Sequence, residues 1–151
     1  MKPGTFTLIT EAIGGLRVSK LLVWGLWFVT WVGLVGGLFD RVIFEYVVIF
    51  SAFHAVLFLT LNGFKIGPFP VQVRIAYFIW VAVGTYVPYL TVLMYITLVG
   101  LGTNLFLGYC PLARMMYLLP WNRDEKLTLT FVRRTFLSAP VPGQFKPAST
   151  Q

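Results

Sequence analysis

Three long apolar stretches, separated by charged residues, occupy most of the chain up to Tyr109. The first two are residues 21–39 and 42–64, and each is close to the ~20 residues that span a bilayer. The third, residues 75–109, contains no formal charge and would make a single helix about 50 Å long. The pattern predicts two membrane-spanning helices, followed by a stretch that is long for one span and short for two.

The distribution of basic residues decides how the third stretch is divided. A single span there would leave five basic residues on one face of the membrane and seven on the other. If the chain turns back at residues 84–88, eleven basic residues share one face and only Arg41 lies on the other. The positive-inside bias favours this arrangement, and Gly84 and Pro88 suit a turn. Both termini are then expected in the cytoplasm. The four predicted spans are residues 21–39, 42–64, 71–87 and 88–109.

The composition agrees with an integral membrane protein. Hydrophobic residues make up 58% of the chain and charged residues 11%, and the mean hydropathy is +0.80. A soluble domain of this length cannot cover so much apolar surface with so few charges. The net charge of +7 does not indicate a nucleic-acid partner, because the basic residues lie between apolar blocks and form no stripe on a soluble fold.

Both ends of the chain have an amphipathic pattern. In residues 1–20, apolar side chains recur at near-helical spacing at Phe6, Ile9, Ile13 and Leu16. In residues 110–151, an expected cytoplasmic tail, the acidic Asp124 and Glu125 predict the first turn of a helix. The apolar face of that helix is expected to contain Leu129, Val132 and Phe136. Interfacial amphipathic helices are therefore expected at both ends. The residues predicted to dock on a cytoplasmic partner are Arg133, Arg134 and Phe136.

A short pair of motifs lies in the second half of the chain, Arg74-Ile75 and Gly108-Tyr109-Cys110-Pro111-Leu112. With these motifs, residues 74–112 resemble a family of bacterial inner-membrane domains of unknown function, some of which are fused to rhodanese sulfurtransferase domains. The resemblance implies a two-helix hairpin in a bacterial inner membrane. It departs where the family has an aromatic residue after the leucine, since this chain has Ala113-Arg114. No rhodanese active-site loop is present, so the resemblance implies no activity.

Cys110 is the only cysteine of the chain, which excludes an internal disulfide. One interpretation is that Cys110-Pro111 marks the place where a membrane helix ends, because proline removes a backbone donor. Arg114 would then reach lipid phosphates. The alternative is a reactive thiol whose pKa is lowered by Arg114. The sequence favours the first interpretation, because it offers no second cysteine and no nearby histidine.

His54 is the only histidine and lies near the middle of the second predicted span. An ionisable residue at that depth indicates a functional site by default, so His54 is a candidate cofactor ligand or proton relay. The alternative is a structural hydrogen bond, for which Ser51, one turn earlier, is a candidate partner. The sequence favours the structural alternative and contains no metal-binding motif.

Several residues at helical spacing indicate close helix packing or partner binding. In the first span, Gly33 and Gly37 form a small-residue motif that allows helices to approach. An aromatic ridge on the same span contains Trp24, Trp27 and Trp31. In the fourth span the aligned residues are Gly100, Asn104 and Gly108. At least one of these faces is expected to remain free for lipid, pigment, quinone or another subunit.

These observations predict an all-α integral membrane four-helix bundle with interfacial amphipathic helices at both ends. No catalytic motif is present, and the expected function is that of a non-enzymatic accessory or scaffold subunit of a larger, energy-converting membrane complex. Its expected partners are membrane lipids and other membrane subunits, without nucleic acid; the cofactor is unknown. The alternative is a small transporter or a sulfur-handling protein that uses Cys110 or His54.

Overall fold

The computed structural model describes residues 20–139, and every regular element in that part of the chain is helical. This confirms the all-α prediction. The α-helices are α1 (Lys20–Gly36), α2 (Val42–Leu61), α3 (Phe69–Tyr86), α4 (Val92–Leu107), α5 (Pro111–Tyr117) and α6 (Leu129–Leu137). A 3-10 turn, Pro88–Leu90, leads into α4. The predicted N-terminal interfacial helix lies outside the described residues.

The four longest helices form an antiparallel bundle. Early in α1, the indole N–H of Trp24 donates to the carbonyl of Leu105 late in α4, at 3.1 Å. Later in α1, Trp31 donates to the carbonyl of Leu98, earlier in α4, at the same distance. These two bonds show that α1 and α4 run in opposite directions. Because α1 contacts α2 and α4, and α3 also contacts both, the four helices close into a ring.

The two ends of the bundle differ in charge. At one end, which we call the turn end, Arg41 in the α1–α2 loop donates a 2.9 Å hydrogen bond to the hydroxyl of Thr91 in the α3–α4 loop. The opposite end, which we call the basic end, holds the α2–α3 loop together with α5 and α6. Its basic residues within the described part of the chain are Lys20 at the start of α1, Lys65, Arg74, Arg114, Arg123, Lys126, Arg133 and Arg134.

The chain reverses between α3 and α4 at Val87, which has an extended backbone (φ −96°, ψ 113°). Val87 precedes Pro88, and the proline ring disfavours a helical conformation in the residue before it. Gly84, which the sequence analysis also assigned to this turn, is instead a buried residue inside α3. A Cβ at Gly84 would lie 2.9 Å from the sulfur of Met94, so the glycine allows α3 and α4 to pack closely.

Two stretches are long and apolar enough to cross a membrane, Val42–Leu61 and Pro88–Leu107. The apolar helix Leu21–Gly36 is shorter, and α3 carries Gln72 and Arg74 within its first turns. Two of the four helices of the bundle are thus long and apolar enough to span a membrane. This finding weakly indicates a membrane protein.

The bundle core is apolar near the turn end and contains polar side chains nearer the basic end. Leu34, Phe44, Val47, Val81 and Met94 pack together with at most 3% of each side chain exposed. The buried polar and charged residues of the four-helix bundle are Thr30, Ser51, His54, Arg74 and Thr97.

The tail folds back against the basic end and forms a second, smaller cluster. Phe131 of α6 packs with Ala113 and Tyr117 of α5, and these residues contact Phe69 and Val73 of α3. The cluster therefore fixes α5 and α6 to the bundle.

The structure places the start of α6 later than the sequence predicts. Helix α6 begins at Leu129, because the Thr128 hydroxyl accepts a hydrogen bond from the N–H of Phe131 and caps the helix. Asp124, predicted to open this helix, instead accepts a hydrogen bond from Tyr117. The buried face of α6 is Phe131 and Thr135, whereas Leu129, predicted on the apolar face, is 86% exposed.

Candidate functional site

The glycine motif of α1 packs inside the bundle. A Cβ on Gly33 would lie 2.8 Å from Cγ2 of Val47, and a Cβ on Gly37 would overlap the ring of Phe44. The first contact joins α1 to α2, and the second joins the residue directly after α1 to α2. The small residues therefore allow these two helices to approach closely, as small residues commonly do between membrane helices.

The tryptophan ridge also faces neighbouring helices of the bundle. Trp24 and Trp31 bind backbone carbonyls of α4, as described above. Trp27 lies between them and packs edge-on against His54 and Tyr77, with ring centroids 5.4 Å and 5.0 Å away. The structure thus brings Trp27 and His54 together, two candidates that the sequence analysis treated separately.

His54 is buried in the core, with 2% of its surface exposed. Its Nε2 has no hydrogen-bond partner among the described residues. Ser51, the expected partner, instead donates to the carbonyl of Val47 at 2.7 Å. His54 is packed among the rings of Trp27, Phe50 and Phe53. This enclosed environment leaves little room for a planar macrocycle beside the imidazole.

Arg74 is a buried cation in the second turn of α3. Its side chain is 7% exposed, and its guanidinium carbon lies 3.3 Å from the ring centre of Phe58. Nη1 donates to the carbonyl of Pro70 at 2.9 Å, one turn nearer the basic end. The sequence contains one signal for this residue, because Arg74 is an isolated charge at the edge of an apolar stretch. A long basic side chain in that position buries its stem and extends its charged group towards an interface.

Cys110 caps the short helix α5. Its sulfur accepts a hydrogen bond from the N–H of Ala113 at 3.4 Å, and Pro111 follows at the first helical position. Burial raises the pKa of the Cys110 thiol, and this outweighs the opposite influence of the Ala113 and Leu112 N–H groups and of Arg114. A raised pKa disfavours the thiolate, which is the reactive form.

Gly108 and Arg114 have roles different from those expected. Gly108, predicted on a packing face, ends α4 in the left-handed conformation (φ 69°) with its N–H bound to the carbonyl of Asn104. Arg114, expected to reach lipid phosphates, is 1% exposed. Its guanidinium donates to the carbonyl of Thr135 and lies 4.1 Å from the ring centre of Tyr109. Arg114 therefore joins α5 to α6.

The three predicted docking residues lie on α6. Arg133 and Arg134 are exposed, and Arg134 pairs with Glu125 at 2.6 Å. Phe136 is half-buried, and its carbonyl accepts a 2.9 Å hydrogen bond from Tyr109. The structure places these residues on one small helix that is attached to the bundle.

Gly100 and Asn104 lie on the wall of a cavity of about 610 Å³ at the side of the bundle, towards its basic end. The cavity is bordered by α1, α3, α4 and α5, and Cys110 also contributes to its wall. Within residues 20–139, no three His, Cys, Asp or Glu side chains form a group that could hold a metal ion. This cavity is the candidate binding site of the described chain.

Comparison of the chain with protein-family models, with curated proteins and with solved structures gives no match. The resemblance of residues 74–112 to bacterial inner-membrane domains therefore stays a prediction.

Proposed function

We propose that this protein is a four-span membrane protein that serves as an accessory subunit of a larger membrane complex, with both termini on the cytoplasmic side. The proposal has two parts, the position of the bundle in the bilayer and the attachment of a partner at its basic end.

The exposure of the two candidate spans supports the bilayer position. Only 33% of Val42–Leu61 and 22% of Pro88–Leu107 are buried within the chain. A core helix of a soluble protein is mostly buried, whereas these helices direct apolar side chains such as Ile49, Val56 and Val99 outward, each more than half exposed. Because α1 and α3 run alongside α2 and α4 from end to end, they cross the bilayer with them.

Aromatic and basic residues at the ends of the bundle support the bilayer position and indicate which end faces the cytoplasm. Phe39 and Tyr89 project at the turn end, with 88% and 93% of their surface exposed. Phe64 and Trp121 are exposed at the basic end. Tryptophan and tyrosine, here Trp121 and Tyr89, are enriched at the two membrane–water interfaces, and lysine and arginine are enriched on the cytoplasmic side. The basic end is therefore assigned to the cytoplasm.

The observation that carries the subunit role is the fixed outer surface of α6, which we call the α6 face. It presents Leu129, Arg133 and Leu137, all exposed, and Leu137 is 72% exposed. The buried guanidinium of Arg114 holds this helix in place through Thr135, Ser138 and Ala139. A preorganised surface combining arginine with apolar side chains suits protein recognition, because less conformational freedom is lost on binding.

The alternative sulfur-handling function gains no support from the geometry. Cys110 has a raised pKa and serves as a helix cap, and both features disfavour an exposed thiolate. A transport role for His54 would need a path along which a proton or substrate reaches its buried ring, and packed aromatic side chains surround that ring.

A substitution on the α6 face tests the subunit role. The full chain carrying Arg133→Glu and Leu137→Ser is purified in mild detergent, and the native mass of its complex is measured. We expect the partner to be lost while the chain itself remains membrane-inserted and helical. The matched control is Lys65→Glu, which changes an exposed charge in the α2–α3 loop of the basic end. This variant should retain the partner. Retention of the partner by the double variant would contradict this use of the α6 face.

A further inference from the structure

The lateral cavity has the dimensions and position of a small-molecule site. Its volume of about 610 Å³ lies within the range of ~300–1,000 Å³ that holds drug-sized ligands. Along α4 its wall extends from Tyr95 to Asn104, a distance of about 14 Å. Helix α5 borders the cavity at the basic end through Pro111 and Met115. The cavity therefore reaches from the interfacial region into the depth of the bundle.

The walls of the cavity are mainly aromatic and aliphatic. Five aromatic rings from three helices and the α4–α5 connection contribute: Trp27, Tyr77, Trp80, Tyr95 and Tyr109. Aromatic rings pack favourably against another planar ring, offset or edge-on. The wall thus favours a flat conjugated ligand over a shape without a planar group.

Several polar groups on the wall are already bonded within the chain. The Thr97 hydroxyl accepts from Trp80 and donates to the carbonyl of Leu93, and the Thr103 hydroxyl donates to the carbonyl of Gly100. The side-chain amide of Asn104 and the buried hydroxyl of Tyr77 make no hydrogen bond within residues 20–139. An occupant that covers such a group without pairing it would cost about 1–3 kcal/mol.

The amide lies at the end of the cavity nearest the basic end of the bundle, and the aliphatic side chains Ile96 and Val99 lie deeper. A lipid acyl chain would fill the volume and leave the Asn104 amide without a partner. A ring that carries a carbonyl oxygen would accept a hydrogen bond from the amide while its apolar tail lies along the deeper wall.

We propose that this cavity binds one lipid-soluble molecule of the quinone type, a planar ring with carbonyl oxygens and an apolar tail. A ring carbonyl accepts a hydrogen bond from the Asn104 amide, and the ring packs against Trp80 and Tyr109. The inference rests on the bilayer position in the proposed function and is independent of the subunit role, since the isolated chain contains the whole cavity.

Gly100 provides a way to close the cavity. A Cβ at Gly100 would meet only Pro111, at 3.7 Å, an ordinary van der Waals contact. Gly100→Leu therefore places a side chain in the cavity without overlapping the backbone. Gly25 of α1 is the matched control, because a Cβ there meets nothing within 4 Å and Gly25 does not line the cavity.

The test uses the full chain in nanodiscs of one synthetic phosphatidylcholine, titrated with decyl-substituted benzoquinone. The readout is tryptophan fluorescence, which a bound quinone quenches, since Trp27 and Trp80 line the cavity. We expect saturable quenching in the unmodified chain and in Gly25→Leu, and its loss in Gly100→Leu. Asn104→Leu should bind about fivefold to tenfold more weakly, the effect of one lost hydrogen bond. Decylbenzene, which has the same tail without carbonyl groups, should not displace the quinone.

Three results would overturn the inference. The first is quenching without a saturable component in the unmodified chain, and the second is equal saturable quenching in a folded Gly100→Leu. The third is displacement by decylbenzene together with full affinity in Asn104→Leu, which would show that the cavity holds any apolar chain. The decylbenzene and Asn104→Leu measurements test the quinone site even if Gly100→Leu does not fold. Loss of quinone binding would leave the partner experiment on the α6 face unaffected, so the two proposals fail separately.

Discussion

The guanidinium of Arg114 donates a hydrogen bond to the hydroxyl of Ser138, at 2.6 Å, and so connects α5 to the end of α6. The same side chain also reaches backbone carbonyls of Thr135 and Ala139. A buried cation that satisfies carbonyls at the C-terminal end of a helix also complements the helix dipole. This one side chain explains how a tail of short helices remains attached to the bundle.

Replacing Arg114 should release α6. Arg114→Met keeps much of the side-chain volume but removes the hydrogen bonds, and we expect a loss of about 3 kcal/mol, since bonds to charged groups are the stronger ones. Limited proteolysis should then cut the segment between α5 and α6 faster, while the bundle remains intact. Arg133→Met, on the exposed face of the same helix, is the control and should leave the cleavage rate unchanged. Equal rates in both variants would contradict the role of Arg114.

The close contact of α1 with α2 should depend on glycine. Gly33→Ala places a Cβ 2.8 Å from Val47, and overpacking of this kind costs about 1–3 kcal/mol. Gly25→Ala lies in open space and should be neutral or stabilising by up to about 1 kcal/mol, because alanine has the better helix propensity. Thermal unfolding in detergent compares the two variants. A lower midpoint for Gly25→Ala than for Gly33→Ala would refute the packing described here.

Cys110 should react slowly with alkylating reagents. Its pKa is raised above the ordinary thiol value, so less thiolate is present at neutral pH. The alkylation rate should therefore increase only as the pH approaches this raised pKa. Mass spectrometry of the folded chain after iodoacetamide treatment measures this rate, with glutathione as the reference thiol. Cys110→Ser should preserve stability, because serine is a good helix cap. Faster alkylation than glutathione at neutral pH would favour the reactive-thiol interpretation.

Replacing His54 tests whether its role is structural or functional. Because Nε2 has no partner among the described residues, His54→Leu removes a polar atom that is costly to bury and should leave the thermal midpoint equal or higher. The purified chain carrying His54→Leu should also keep the absorbance spectrum of the unmodified protein. A lost chromophore, or a large drop in the midpoint, would show that His54 binds a ligand or a partner outside residues 20–139.

The sequence predicted the helical class and the region of the α3–α4 reversal because hydrophobic length, proline position and charge are local properties. It indicated Gly33, Gly37 and the tryptophans as residues for helix packing or partner binding, but it could not tell which neighbour each would meet. The roles of Gly108 and Arg114 depend on where α4 ends and where α6 returns, which are long-range properties. The cavity beside Asn104 arises from four elements together, so no periodicity in α4 alone reveals it.

The central claim is that the bundle crosses the bilayer with its basic end in the cytoplasm, and thiol labelling in intact cells tests it most directly. In a Cys110→Ser background, Tyr89→Cys places a thiol at the turn end and Lys126→Cys places one at the basic end; both positions are exposed. With a membrane-impermeant maleimide, we predict that Tyr89→Cys is labelled in intact cells and that Lys126→Cys is labelled only after the membrane is opened. Labelling of both positions from the same side would contradict the four-span topology.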